Sequence, residues 1–318
     1  MIKEAKRKAI PLIISLAGTS GSGKTYSALL LAAGLAGKDG KVGFLDSETG
    51  RGSMYADDKD IIEALPENKY YIDELNAPFS PARYMEKINE FIKFGVNVLV
   101  IDSVTHEYDG QGGISDIAAN NKLGGLPNWA MAKGQHKLFM NMLTQCPMHI
   151  IFCLRAQEKT KPESYIDERT GKKKTRFVEL GTQPIQEKNF MYEMTLSMML
   201  EHTAPGKPII TKCPKPLLNL FTGDQTIITK EVGEKLKAWA DGGVAVDIRL
   251  RNLKRDCREW ALQGRGKLDE FFKNLNVDDK KLLTEFSEDE FKEEVKLLAQ
   301  DCDKVRAEME KDSIININ

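Results

Sequence analysis

At 318 residues, with 41% hydrophobic and 29% charged side chains, the chain has room for one large or two modest domains and an ordinary globular composition. A net charge of −1 excludes a global field that would gather nucleic acid, so any such binding has to come from local patches. Five cysteines, at 146, 153, 213, 257 and 302, are odd in number and form no CxxC pair, which argues against a disulfide framework or a zinc site and for a reducing, cytoplasmic compartment.

In chain order, "MIKEAKRKAIPLIISLAG" starts with a basic flank and an apolar run, the outline of a leader. Pro11 interrupts that run, which leads straight into glycines, so the spacing predicts a first buried strand over 11–17. Further apolar runs follow at 41–46, 96–102, 148–154 and 191–200, with helix-like segments over 25–36, 81–94 and 129–145. Near-continuous apolar strands alternating with helices predict an α/β fold: a mostly parallel central sheet flanked by helices. Ligands of such sheets sit beyond the carboxyl ends of the strands, so the residues after each run carry the most weight. No span of about 18 apolar residues crosses a membrane.

The first such end reads Gly18-Thr19-Ser20-Gly21-Ser22-Gly23-Lys24-Thr25-Tyr26 and opens a helix. This is the P-loop spacing: backbone N–H groups and the helix N-terminus wrap a phosphate, Lys24 reaches the β- and γ-phosphates, and Thr25 ligates Mg²⁺. A second metal anchor is expected at the end of an apolar strand, where "VNVLVID" delivers Asp102. Hydrolysis also needs a carboxylate to orient water. Ser103 follows Asp102, so the base must come from elsewhere, and Glu48 in "FLDSETGRGSMY" is the candidate, with Glu107 the competitor. Asp46, in the same run, is an alternative holder of a metal-bound water. After the 148–154 strand, Arg155 and Gln157 are candidates to sense the γ-phosphate.

The combination of "FLDSE", Tyr55 and "VLVIDSV" resembles the RecA-type recombinase ATPase core, and the interval from Lys24 to Glu48 is the one that core uses. The resemblance implies Glu48 as catalytic base, Tyr55 as adenine platform, and Asp102 with Ser103 at the Mg²⁺ end, with ATP as the nucleotide. Gly52 departs from it, standing where the family has an adenine-contacting Asp. Segments such as "PIQEKNFMYEMTLSMML" and "GEKLKAWADGG" look like the phage AAA-family ATPases linked to single-strand annealing and recombination, and the likeness covers roughly residues 10–243. It implies single-stranded DNA as a partner and a homo-oligomer as the working assembly. A small-molecule kinase and a nucleotide-gated scaffold remain as alternatives; no Asn/Thr-Lys-x-Asp motif supports a GTPase.

Beyond the core motifs, 109–127 is glycine-rich and reads as a long loop. The stretch 159–180 has a hairpin pattern with basic residues Lys159, Lys161, Arg169, Lys172, Lys173, Lys174 and Arg176, beside Tyr165 and Phe177. Cations next to aromatic rings fit a phosphate backbone with stacked bases. "ADGG" at 240–243 reads as a linker, which divides the chain into a core, 1–240, and a helical appendage, 244–318. In the appendage, 249–267 carries seven Lys/Arg against two acids, and 278–312 carries seven against thirteen. Leu268, Phe271, Phe272 and Leu275 recur at helical spacing, with Asp278 and Asp279 opening the next helix, a pattern suited to core packing or to docking a recombination or replication protein. The histidines at 106, 136, 149 and 202 are too scattered for a metal site; His106 lies nearest the nucleotide end of the sheet.

Overall fold

The computed structural model describes residues 7–166, 169, 172–221, 227–242, 248–286 and 289–315. The chain divides into two compact units, Met1–Gly243 and Val244–Asn318.

In the first unit, β1 (Ile13–Gly18), α1 (Lys24–Ala36), β2 (Val42–Asp46), α2 (Lys59–Ala64), β3 (Tyr71–Glu74), α3 (Pro81–Phe94) and β4 (Val98–Asp102) alternate as the apolar runs require. There follow α4 (Thr105–Asp109), α5 (Ile114–Asn120), the short strands β5 (Lys122–Leu123) and β6 (Leu126–Pro127), and α6 (Trp129–Gln145). The unit closes with β7 (His149–Ile166), β8 (Lys173–Pro184), α7 (Phe190–Glu193), β9 (Leu196–Leu200), β10 (Pro208–Lys212) and α8 (Lys230–Asp241).

The sheet runs β10-β9-β1-β7-β4-β2-β3, with β8 paired to β7 outside that path. Strands β9, β1, β7, β4, β2 and β3 are parallel, and β10 and β8 run antiparallel to their neighbours. The α/β class expected from the alternating runs is therefore what the chain builds. Continuous apolar strands arise because each strand serves two cores. Ile14, Leu16, Val98, Val100, Ile151 and Cys153 face a cluster completed by α1 and α8. Ile13, Ala17, Leu99, Ile101, Ile150, Phe152 and Leu154 face another, completed by Tyr84, Ile88 and Phe91 of α3 and Phe139, Met140 and Leu143 of α6.

Two glycines explain the seating of α8. A Cβ on Gly34 would lie 2.0 Å from Lys230 O, and one on Gly233 would lie 2.3 Å from Leu31 O, so α1 and α8 cross with their backbones touching. Among the described residues no helix is long and apolar enough to cross a membrane.

Several boundaries differ from the sequence reading. Residues 109–127 are not one loop: Ile114 and Ala118 of α5 are buried against Ala132 of α6, and Gly124 and Gly125, both at positive φ, turn the β5–β6 hairpin. The run 191–200 begins as helix, and its strand starts only at Leu196. The edge strands β3 and β10 alternate between half-buried and exposed positions, so neither forms an apolar run. The 148–154 strand continues well past its apolar part: β7 pairs with β8 from Ala156↔Pro184 to Ile166↔Lys173, with an irregularity between Glu158 and Thr160. Asp167, Glu168, Thr170 and Gly171, which the sequence reading places in the hairpin, lie outside the described residues.

The second unit is four helices, α9 (Ile248–Ala261), α10 (Arg265–Asn274), α11 (Val277–Phe286) and α12 (Asp289–Ile315). They share a core of Leu253, Cys257, Ala261, Leu268, Leu283, Phe291, Val295 and Ala299. Leu268 is buried there and Phe271 is partly buried against it, as the helical spacing requires, while Phe272 is 37% exposed. Asp278 and Asp279 occupy the first turn of α11, where carboxylates offset the helix dipole.

Candidate functional site

The site forms where strand ends converge. Sheet register sets Gly18 beside Arg155 and Asp46 beside Asp102, all at carboxyl ends. They open on a cleft of about 650 Å³ lined by Gly18, Ser20, Gly21, Gly23, Lys24, Thr25, Glu48, Arg51, Met54, Tyr55, Asp102, Arg155, Ala156 and Ile185.

The glycine loop is built for backbone exposure. Gly21 (φ 77°) and Gly23 (φ 82°) are left-handed, which other residues adopt only at a cost. At Gly18 a Cβ would collide with Leu200 O at 2.4 Å. Ser22 is buried and its Oγ donates to Thr19 O at 2.9 Å, tightening the turn from inside, while Thr19 Oγ1 is buried without a partner. Lys24 Nζ donates to Gly18 O at 3.0 Å and Thr19 O at 2.8 Å, which sets the ammonium across the loop. The first turn of α1 contains no acid, so its N-terminal amides meet an anion without competition.

Thr25 Oγ1 donates to Asp102 Oδ2 at 2.6 Å. Burial pushes the Asp102 carboxyl up to about 6, against the downward pull of the Thr25 hydrogen bond and of Lys24. A buried carboxylate beside a hydroxyl, both hard oxygen donors, fits Mg²⁺, which keeps several waters and borrows phosphate oxygens. No three His, Cys, Asp or Glu side chains converge on a metal position among the described residues.

Glu48 faces this pair across the cleft, with its side chain only 4% exposed. Its Oε1 receives Arg155 Nε at 2.7 Å, and its Oε2 lies 2.7 Å from an Arg51 guanidinium nitrogen. Asp46 does something else: its two oxygens accept the backbone N–H of Glu48 at 2.7 Å and of Gly52 at 2.8 Å. It clips the turn that presents Glu48, with one backbone bond on each carboxylate oxygen. Gly52 is closed to a side chain, since a Cβ would lie 2.4 Å from the Phe44 ring; an Asp here would not fit.

The competing base and the histidine nearest the nucleotide end lie outside the cleft lining. Glu107 is fully buried in α4 and bonds His136 Nδ1 at 2.9 Å, away from the cleft, which removes it as a competing base. Burial raises its carboxyl, with the histidine opposing. His106 is half-buried, 3.0 Å from Ser47 Oγ and packed on Phe79, and burial lowers its imidazole. Ser103 is buried outside the cleft lining, and its Oγ accepts the Thr105 N–H at 3.2 Å. Its N–H donates to Ser47 Oγ at 2.9 Å, and its carbonyl accepts from Ser47 Oγ at 2.8 Å and Tyr84 OH at 2.9 Å, tying the β2 and β4 ends together.

Arg155 is held at its backbone by Thr105 Oγ1 at 2.9 Å and reaches into the cleft. Gln157 does not: it pairs with Gln183 and lines a neighbouring recess with Tyr108, Trp129, Lys133 and Gln186. Period-2 alternation would set both on one face; they part because Arg155 lies at the strand's last sheet position and Gln157 already belongs to the hairpin. Tyr55 lines the cleft with Met54, and Tyr26 packs edge-on against it with ring centroids 5.7 Å apart. Tyr26 thus braces the platform and does not itself line the cleft. Arg51 was not singled out in the sequence; its i,i+3 spacing from Glu48 was the available signal.

The chain matches the AAA domain family over residues 10–213. That span takes in the glycine loop, Glu48, Asp102 and Arg155 and is well over half of the molecule. The chain belongs to the AAA domain family. No curated protein matches it. Among solved structures it is similar to a KaiC-like protein from the hyperthermophilic archaeon Pyrococcus horikoshii, at 15% identity and a TM-score of 0.36, covering 66% of this chain and 89% of that one. The family establishes a P-loop NTPase fold, and the cleft is where its glycine loop opens.

On the β7–β8 hairpin of this AAA domain chain, register separates two faces. Lys161, Glu163, Tyr165, Lys174, Arg176 and Val178 share one; Pro162, Ile166, Lys173 and Phe177 share the other. Arg176 bonds Glu163 Oε2 at 2.7 Å and lies over the Tyr165 ring. Lys161, Lys172, Lys173 and Lys174 are exposed, and Lys159 is half-buried beside the recess that Gln157 lines.

Proposed function

We infer that the chain is a Mg²⁺-dependent ATPase whose turnover drives an assembly on single-stranded DNA in recombination, annealing or replication. The observation that carries the hydrolytic part is the Thr25–Asp102 contact at 2.6 Å facing Glu48 across a cleft floored by the glycine loop. Lys24 and the loop amides hold the β- and γ-phosphates, and Tyr55 offers a face to adenine. Thr25 and Asp102 are the residues that would hold Mg²⁺, whose charge offsets that of the phosphates. Glu48 accepts a proton from the attacking water and orients it for in-line displacement, and Arg155 compensates charge on the terminal phosphate.

The DNA part draws on the hairpin. β7 carries Arg155 at the nucleotide end and continues without a break in chain direction into the face bearing Lys161, Lys174, Arg176 and Tyr165. Cations spaced along a ribbon beside an aromatic ring suit a single strand, with phosphates paired and bases stacked. The opposite face, with Ile166 at 69% and Phe177 at 73% exposure, supports a homo-oligomer in which hairpins cover one another. The four-helix unit is the proposed docking module for a recombination or replication protein.

Phosphate release from ATP, measured with and without single-stranded DNA over a salt series, tests both parts. Stimulation that weakens as salt rises is expected. A response flat in DNA removes single strands as activator, and a Glu48→Ala protein that turns over normally removes the mechanism.

A further inference from the structure

We propose that Arg51 is a positioning residue for hydrolysis: it holds Glu48 Oε2 through the cycle, so that Oε1, the oxygen shared with Arg155, is the one presented to water. The proposal rests on the ATPase reading above. The Glu48 side chain is 4% exposed, and each of its oxygens meets a different guanidinium at 2.7 Å. Each oxygen so held keeps one lone pair for water, and yielding of one guanidinium frees a second and opens that oxygen fully to the attacking water.

The two contacts are not equivalent. Arg51 belongs to the same turn as Glu48, and Asp46 bonds the N–H groups on both sides of that pair, those of Glu48 and Gly52. Thr49 at φ 58° and Gly50 at φ 85° close the turn between them. The Arg51–Glu48 pair is thus fixed by its own backbone clip. Arg155 comes from another strand, in register with Gly18 of the phosphate loop; the two arginine side chains are exposed alike, 49% for Arg155 and 56% for Arg51, so their place in the chain is what separates them. A terminal phosphate resting on that loop offers Arg155 a second anion, and the guanidinium that turns to it frees Oε1. Arg51 keeps the carboxylate plane from following. The arrangement couples the base to the presence of the terminal phosphate: a diphosphate leaves Arg155 on Glu48.

The test compares phosphate release and binding of a fluorescent ATP analogue in wild type, Arg51→Gln, Arg51→Lys, Glu48→Ala and the Glu48→Ala/Arg51→Gln double variant. Arg51→Gln is expected to lower kcat about 10- to 100-fold while nucleotide affinity falls no more than about tenfold, the worth of one positive charge in the cleft, since misplacement of a reacting group costs rate and not binding. Arg51→Lys recovers part of the loss because the charge stays while the planar fork is gone. In the Glu48→Ala background, Arg51→Gln adds no further loss. Unchanged kcat in Arg51→Gln, or the same fractional loss with and without Glu48, overturns the role of Arg51 while leaving the ATPase standing. Absence of phosphate release by the wild type from any nucleoside triphosphate overturns the ATPase reading and this proposal with it.

Discussion

Replacing Glu48 with Gln keeps shape and hydrogen-bonding capacity but removes one negative charge from a cleft that sets Lys24, Arg51 and Arg155 against Glu48 and Asp102. The formal balance around a bound triphosphate thereby moves from one excess positive charge to two. At a separation of about 6 Å and an effective dielectric of about 40, removing one unit of repulsion is worth about 1.4 kcal/mol per phosphate charge, or about tenfold in affinity. Loss of the general base costs about 10²- to 10⁴-fold in turnover. The variant is therefore expected to bind ATP more tightly and hydrolyse it far more slowly, a combination that a merely unfolded or loosened site does not produce. Titration with a fluorescent ATP analogue gives the affinity, and single-turnover phosphate release gives the rate. Affinity that falls together with turnover would refute the electrostatic argument, and turnover near the wild-type value would refute the assignment of Glu48.

Three further outcomes are expected. Gly233→Ala should destabilise the first unit by about 2–4 kcal/mol, seen as a lower Tm, because the new methyl meets Leu31 O at 2.3 Å and only separation of α1 from α8 relieves it; an unchanged Tm would contradict the packing. Burial holds the His149 imidazole down at about 4, with its Nδ1 accepting the Leu12 N–H at 3.0 Å, so the unfolded chain takes up a proton near pH 6.5 that the folded chain refuses. Stability is then complete above about pH 6.5 and falls by up to about 3 kcal/mol as pH drops toward 4; His149→Gln should flatten this acid limb in denaturant titrations, and an identical limb would assign it to other groups. Changing Lys161, Lys174 and Arg176 together to Ser should lower the salt slope of single-stranded DNA stimulation by about 2, at about 0.7 per phosphate contact; an unaltered slope places the contacts elsewhere.

The parts most readable from the sequence were those where one residue type alone satisfies the physics. Gly21 and Gly23 announce left-handed backbone, the runs ending in Gly18 and Asp102 announce strands buried on both faces, and the helices over 81–94 and 129–145 appear with those bounds. Less readable were features decided by tertiary partners. Glu107 and Glu48 are both acids near strand ends, and only the fold shows one sealed against His136 and the other facing the cleft. Asp46 reads only as an acid at a strand end, and the fold alone shows that its oxygens bond the N–H groups of Glu48 and Gly52. β3 and β10 lie at sheet edges, where half-exposed alternation is weaker than the signal of a central strand. Gly34 and Gly233, unremarkable singly, matter because they meet.

β7 spans His149–Ile166 as a single strand, buried at its start and exposed from Lys161 onward. Eleven residues past Arg155, at about 3.3 Å each, the chain has travelled roughly 36 Å from the cleft. A tilt of a few degrees at the guanidinium end therefore sweeps the far end through a couple of ångströms. The irregularity between Glu158 and Thr160 is the place where such leverage is either passed on or absorbed, and stiffness there sets how far a chemical event in the cleft is felt.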